Sequence, residues 1–329
     1  FIELLREQGS LHDINQSKIF METAHSFGGA LPFDEDLWNR VYKEYNGYLP
    51  IKIQALPEGS TFFPNEPVIQ VSSLGEGFGE IAALIEAIMV GQVSIATARA
   101  TLTRHLLERM TQFVLKIHPS YTDEQALGVA QWMVHDFGMR GSSCQEESAL
   151  LGRAHLLSFH GTDTFNAAYQ ARKMGAKSPT GTSILALAHR IVQGHDSERS
   201  AYNQIIEAAG ESGIASCVAD CYDFKKAVTE ILAPLAKRVK TVVVARPDSG
   251  PYLDNVLHII TTAIAFNLFN KDELGRLKAT NFRFIQGDSM DYKKMMNVLN
   301  TLEERNLDAT GWGIFGVGGW LRNSRTRDT

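Results

Sequence analysis

Cysteine is scarce in this chain. Three occur in 329 residues, Cys144, Cys217 and Cys221, an odd number too small to staple a secreted scaffold, so a reducing, cytoplasmic setting is expected. Cys217-x3-Cys221 has no second Cys/His pair at a zinc-like spacing, and resting thiols are a plainer reading than a metal framework. A basic excess is also absent: 32 Lys+Arg stand against 37 Asp+Glu, net −5, which argues against a dedicated nucleic-acid binder. The longest apolar run, residues 81–93, is broken by Glu86 and falls short of the ~20 residues of a membrane span. Tandem repeats, low-complexity tracts and signal or transit patterns are missing too. The chain opens on Phe1, reaches its first methionine at Met21, and reads as a piece of something longer.

What is present is ordinary globular material, 44% apolar and 21% charged, enough to bury a core. Alternating segments at 50–55 and 67–71 predict two strands. Apolar residues three and four apart (Ile81, Leu84, Ile85, Ile88, Met89) then predict a helix, with a second helical stretch at 98–115. These patterns divide a smaller β-rich α+β domain, 1–97, from a larger one, 98–329. In the larger part, strands at 213–218, 241–245, 282–285 and 311–315 alternate with helices near 224–237, 254–266 and 292–304. That rhythm predicts an α/β fold with a parallel, barrel-type sheet whose polar loops share one edge.

Those loops carry the candidate chemistry. In Arg246-Pro247-Asp248-Ser249-Gly250, the guanidinium fork suits a phosphate or diphosphate. The aspartate can hold Mg²⁺ or face a developing positive charge, although an Arg–Asp pair closing the loop accounts for the same residues. Gly287-Asp288 follows the same logic. Gly316-Val317-Gly318-Gly319 offers unobstructed backbone N–H groups of the kind that cradle phosphate, with Arg322, Arg325 and Arg327 behind it. In His135-Asp136-Phe137-Gly138-Met139-Arg140-Gly141, an aromatic ring able to stack on a flat heterocycle precedes an arginine able to bind an anion. A core phenylalanine and a surface arginine are the alternative. Gly161-Thr162-Asp163-Thr164 looks like a helix cap, with Thr162 or Asp163 starting a helix that runs through Met174. His189 stands alone beside apolar residues, as a core or partner-bonded histidine does.

Taken in order, these segments resemble the nicotinamide phosphoribosyltransferase family. The likeness runs from Gly47-Tyr48-Leu49-Pro50-Ile51 to Thr326-Arg327-Asp328, through Asp220-Cys221-Tyr222-Asp223 and Gln286-Gly287-Asp288. It implies a phosphoribosyltransferase-type α/β barrel that joins nicotinamide to phosphoribosyl diphosphate in NAD biosynthesis, with Mg²⁺, ATP as a coupling substrate, and a cytoplasmic homodimer. By the same resemblance, Phe137 stacks on nicotinamide, while Arg140 contacts phosphoribosyl diphosphate or stacks below the ring. Asp163 accepts from the carboxamide and repels a carboxylate. Arg246 and Asp248 hold the diphosphate and ribose hydroxyls, Asp220 supports them, and Gly287 and Asp288 lie near the ribose. Gly318 and Gly319 bind the 5'-phosphate, Arg327 reaches a phosphate in a neighbouring subunit, and His189 is the histidine phosphorylated when ATP is coupled.

Departures from the family pattern set further expectations. The family's histidine segment carries a glutamate directly before the histidine, where this chain has Ala188. A carboxylate bonded to histidine fixes its tautomer, so its loss predicts weak ATP coupling. The N-terminal tyrosine that sandwiches the ring across the dimer is expected to be missing. The chain also ends before the family's last segments, so the barrel is expected to be incomplete. A nicotinate or quinolinate phosphoribosyltransferase, a catalytically impaired binding or assembly module, and a barrel enzyme for another sugar phosphate remain the rival readings.

Overall fold

The computed structural model describes residues 34–57, 59–177 and 180–320. It divides into two compact units, Phe1–Ser94 and Ile95–Thr329. In the first, helix α1 (Glu35–Tyr45) is capped by Asp34, whose carboxylate accepts from Leu37 N–H, and stops at Asn46 in the left-handed conformation. Strands β1 (Ile51–Ala55) and β2 (Ile69–Ser73) pair antiparallel. Their neighbours Leu37, Val41, Phe78, Ile81 and Ile85 form a small core.

Helix α2 (Gly79–Ile117) starts in the first unit and ends in the second. The two helical stretches read from the sequence are thus one element, because Gly91 and the small residues after it do not interrupt the backbone ladder. This corrects the expectation that no segment reaches membrane length. By length and composition alone α2 is long and apolar enough to cross a membrane. The stretch that meets this test is only 12% buried, whereas Leu106, Leu107, Met110, Phe113, Val114 and Ile117, at the C-terminal end of α2, belong to the core of the second unit.

The second unit is built around seven parallel strands: β3 (Val134–Asp136), β4 (Gly161–Thr162), β5 (Leu185–Ala186), β6 (Ile214–Val218), β7 (Val242–Arg246), β10 (Phe282–Gln286) and β11 (Gly313–Val317). A separate hairpin, β8 (Phe269–Lys271) with β9 (Leu277–Ala279), precedes β10. The sheet order is β4-β3-β11-β10-β7-β6-β5. The sheet curls so that its two edges approach one another, where a single isolated bridge joins Thr182, just before β5, to Gly161 of β4, and the expected incomplete, half-barrel sheet is what forms. The helices between are α3 (Asp123–Ala130), α4 (Gln145–Leu156), α5 (Phe165–Lys173), α6 (His189–Gln193), α7 (Glu198–Ala209), α8 (Phe224–Lys226), α9 (Ala233–Ala236), α10 (Tyr252–Ala265) and α11 (Tyr292–Glu304). Val243 and Ala245 of β7, Phe282 and Phe284 of β10 and Phe315 and Val317 of β11 share one core with helix residues such as Ile259 and Val298. The alternate strand positions face the barrel interior, which is why β7 reads as an unbroken apolar run.

The helix predicted at 224–237 contains a π-helical segment, Ala227–Leu232, between α8 and α9. Pro234 explains the irregularity: it cannot donate to the carbonyl of Glu230. Arg199 does so instead, its Nη2 lying 2.9 Å from Glu230 O.

His155 of α4 is fully buried and stacks on Phe159 at 5.2 Å. Burial pushes its pKa down to about 4, so it is neutral and its Nε2–H donates to Gly161 O at 3.0 Å. The unfolded chain takes up this proton near pH 6.5, before the fold does, so stability is lost as pH falls. Between pH 7 and 5 this single site is expected to cost about 2 kcal/mol. Denaturant titrations of the parent and His155→Gln at both pH values measure it. Equal acid sensitivity in the two proteins would refute the assignment.

Candidate active site

Every one of the parallel strands delivers a candidate residue at its carboxyl end. Phe137 and Arg140 follow β3, Asp163 follows β4, His189 follows β5 and Asp220 follows β6. Arg246 closes β7 with Asp248 just beyond it, Gly287 and Asp288 follow β10, and Gly318 and Gly319 follow β11. The fold therefore gathers at one end of the barrel residues that lie up to 182 positions apart, Gly319 against Phe137.

A cavity of about 470 Å³ opens there, lined by Phe137, Arg140, Asp248, Gly287, Asp288, Gly318 and Gly319, a size that suits a small ligand. Met290 and Trp320 also line it. Phe137 is half-buried, and its N–H donates to Val317 O at 3.0 Å. Its ring lies over bare backbone: a Cβ at Gly316 would overlap it, and one at Gly287 would come within 2.9 Å of its Cε2. Arg140 is exposed in a 3-10 turn, Met139–Gly141.

Asp163 sits one step beyond the last β3–β4 register pair, Asp136↔Thr162, beside Phe137. Its side chain is exposed and accepts a hydrogen bond from the Ser183 hydroxyl. The capping role read for Thr162 or Asp163 is corrected here. The N-cap of α5 is Thr164, which makes no side-chain cap bond, while Thr162 Oγ1 accepts from Thr164 N–H at 3.0 Å. Asp163 is left exposed at the carboxyl end of β4, outside the lining of the cavity.

A second cluster lies across the mouth. His189 Nε2 is 3.1 Å from Asp220 Oδ1, and its Nδ1 is 3.9 Å from Asp248 Oδ2. Asp220 is nine-tenths buried and also accepts from the Ser249 hydroxyl. Asp220 thus gives His189 a carboxylate contact that Ala188, the residue before it, cannot provide. Arg246 Nε is 3.7 Å from Asp248 Oδ1, too far for a hydrogen bond, and this buried Nε has no hydrogen-bond partner. Ser183 and Ser249 were given no role from the sequence, although Ser249 stands next to Asp248 in the Arg246–Gly250 loop; Ser183 is far from Asp163 in sequence and meets it only in the fold.

Asp223 of the Asp-x-Tyr-Asp motif is structural, capping α8 through Lys226 N–H. Cys217 is buried, and burial pushes its thiol up to about 12, as expected of a resting thiol. His118, Asp272 and Asp308 bring ligand atoms within 4.8 Å of one another. Arg276 Nη2 at 2.7 Å from Asp272 and Lys278 Nζ at 3.9 Å from Asp308 make this an ion-pair network. Arg327, with Arg322 and Arg325, lies outside the described residues.

Residues 132–329 match the model of the nicotinate phosphoribosyltransferase (NAPRTase) family. The nicotinamide phosphoribosyltransferase of Xanthomonas campestris pv. campestris (strain 8004) is 29% identical over 308 residues, covering 91% of this chain and 64% of its own. That of Acinetobacter baylyi (strain ATCC 33305 / BD413 / ADP1) is 27% identical over 313 residues, covering 86% and 60%. The chain therefore spans less than two thirds of the length of the curated relatives it matches. The crystal structure of nicotinate-nucleotide pyrophosphorylase from Pyrococcus furiosus shares the fold, with a TM-score of 0.50 at 16% identity over 84% of this chain and 58% of that one.

Proposed function

The chain belongs to the nicotinate phosphoribosyltransferase family, and from that premise we propose that it forms nicotinamide mononucleotide and diphosphate from nicotinamide and phosphoribosyl diphosphate, in NAD biosynthesis. The observation that carries this reading is Phe137 laid over the bare backbone of Gly316 with acidic Asp163 at the adjacent strand end. A flat ring stacks on Phe137, and Asp163 accepts from a carboxamide N–H while repelling the carboxylate of nicotinate.

The reaction joins the pyridine nitrogen to C1 of the ribose as the C1–O bond breaks, and the electron pair leaves with diphosphate. The nitrogen is already unprotonated, so no general base is needed. Catalysis rests on positioning and on charge. Arg246 and Arg140 hold the diphosphate, Gly318 and Gly319 the 5'-phosphate, and Asp248, Gly287 and Asp288 the ribose as positive charge develops there. Asp248 and Asp288 both line the cavity with hard oxygen donors, which fits Mg²⁺. When bound, that ion neutralises charge on the leaving diphosphate.

His189 takes phosphate from ATP in this reading. Asp220 holds its Nε2 and leaves Nδ1 toward the Asp248 side. A cytoplasmic homodimer belongs to the same reading. Its partners are the small-molecule substrates, with neither nucleic acid nor membrane.

The test is a mononucleotide assay on the chain with nicotinamide and nicotinate in parallel, repeated on Asp163→Ser. The parent is expected to prefer nicotinamide. The variant should move the kcat/KM ratio toward nicotinate by about tenfold or more, the loss of one charge-assisted hydrogen bond and one repulsion. A ratio that does not move takes the specificity role from Asp163.

A further inference from the structure

The residue before Phe137 is as informative as the ring itself. Asp136, the last residue of β3, is completely buried, with Arg99 of α2 beside its carboxylate. Its carboxylate Oδ1 accepts the Gly138 N–H at 3.0 Å and faces Arg99 Nη2 of α2 at 3.4 Å. The two side chains are 0% and 1% exposed. Its backbone carbonyl accepts the N–H of Asp163 at 2.9 Å. One residue thus grips both walls of the proposed nicotinamide site, the turn that presents Phe137 through its side chain and Asp163 through its main chain. Gly152 of α4 stands behind it, where a Cβ would meet Ala167 Cβ at 2.5 Å before Asp136 Oδ2 at 3.3 Å.

A buried ion pair is weak evidence for stability, because well-packed apolar residues often serve as well. Its placement under a turn that a hydrophobic residue could not hold suggests another use. We infer that Asp136 and Arg99 form a positioning pair for the aromatic wall: Arg99 fixes the Asp136 carboxylate, which fixes Gly138 and so the plane and depth of the Phe137 ring. Neither residue touches substrate. The inference rests on the proposed function, and it goes beyond it by assigning nicotinamide affinity to residues behind the cavity.

Two double variants separate this role from a structural one. Both remove the buried charges together, so neither leaves one uncompensated. Arg99→Met with Asp136→Asn keeps an oxygen that can accept from Gly138. Arg99→Met with Asp136→Leu does not. The leucine pair is expected to raise the KM for nicotinamide about tenfold, as misplacing a stacking group does, with the KM for phosphoribosyl diphosphate unchanged. The asparagine pair should recover most of that loss. Equal behaviour of the two pairs, or a rise shared by both substrates, overturns the inference. If the leucine pair does not fold, Arg99→Lys decides, because it keeps the charge but loses the planar fork. A raised KM for nicotinamide alone supports the pair, and no change in it overturns it. A parent that makes no mononucleotide from nicotinamide defeats the functional reading itself, whereas an active parent with insensitive variants defeats only this one.

Discussion

Replacing Arg246 with alanine is expected to weaken phosphoribosyl diphosphate binding by about 2–5 kcal/mol, the usual cost of truncating one partner of a buried charged contact. The argument starts from what Arg246 lacks. Its side chain is 15% exposed at the end of β7, its Nε makes no hydrogen bond, and its nearest carboxylate, Asp248, stands at 3.7 Å. A guanidinium partly desolvated and not fully paired has donors in reserve, and a diphosphate satisfies them as a planar fork does best. Two consequences differ in sign. Affinity for phosphoribosyl diphosphate falls, while the Tm of the free protein holds or rises, since a partly desolvated charge has been removed. Calorimetric titration and a thermal melt on the same samples read both. An unchanged Kd would remove Arg246 from the site, and a collapsed Tm would make the Arg246–Asp248 pair a structural one. Arg246→Lys should recover only part of the affinity, because a point charge replaces a two-pronged donor.

The strands that sequence exposes are the ones long enough to show a pattern. β6, β7, β10 and β11 each run five residues and stand out as apolar runs ended by glycine or acid. β4 and β5 have two residues each and β3 three, too few for any alternation to show. Yet these short strands carry Phe137, Asp163 and His189. The pairs that fix them, Phe315↔Val134 and His135↔Gly161, lie 181 and 26 positions apart, and no local signal holds that information. The motifs were legible because each is a loop with several chemically distinctive side chains in a row. Their joint meaning came from the family resemblance, since each loop alone also fits an ion pair or a cap. The partner of His189 was not legible. Asp220, 31 positions away, reaches His189 because the β5 and β6 loops are neighbours in the barrel. Sequence adjacency was the wrong measure of spatial adjacency there, as it was at Asp163, where a capping pattern turned out to leave the carboxylate exposed and bonded to Ser183.

Gly316→Ala should disable nicotinamide use while leaving phosphoribosyl diphosphate binding intact. The cause is space alone. A methyl group on Gly316 would overlap the Phe137 ring, and β11 is held between β3 and β10 by parallel ladders, so the backbone cannot retreat. The half-buried ring has somewhere to go, the cavity it lines, and there it would occupy the place a flat substrate needs. Relief through the ring keeps the stability cost to about 1–3 kcal/mol, the range for one methylene too many in a packed site. The KM for nicotinamide should rise about a hundredfold, as for a reacting group displaced by roughly 1 Å. Two neighbouring glycines grade the effect. A Cβ at Gly287 would stand 2.9 Å from the ring's edge and at Gly318 3.4 Å from the Phe137 carbonyl. Gly287→Ala should therefore cost less nicotinamide affinity than Gly316→Ala, because a small tilt of the ring relieves it. Gly318→Ala should cost least, its nearest contact being an ordinary one. Steady-state KM values for nicotinamide across the three variants check the order. Equal losses at all three positions would mean that the glycines act together through the loop backbone and that the ring is not what they make room for.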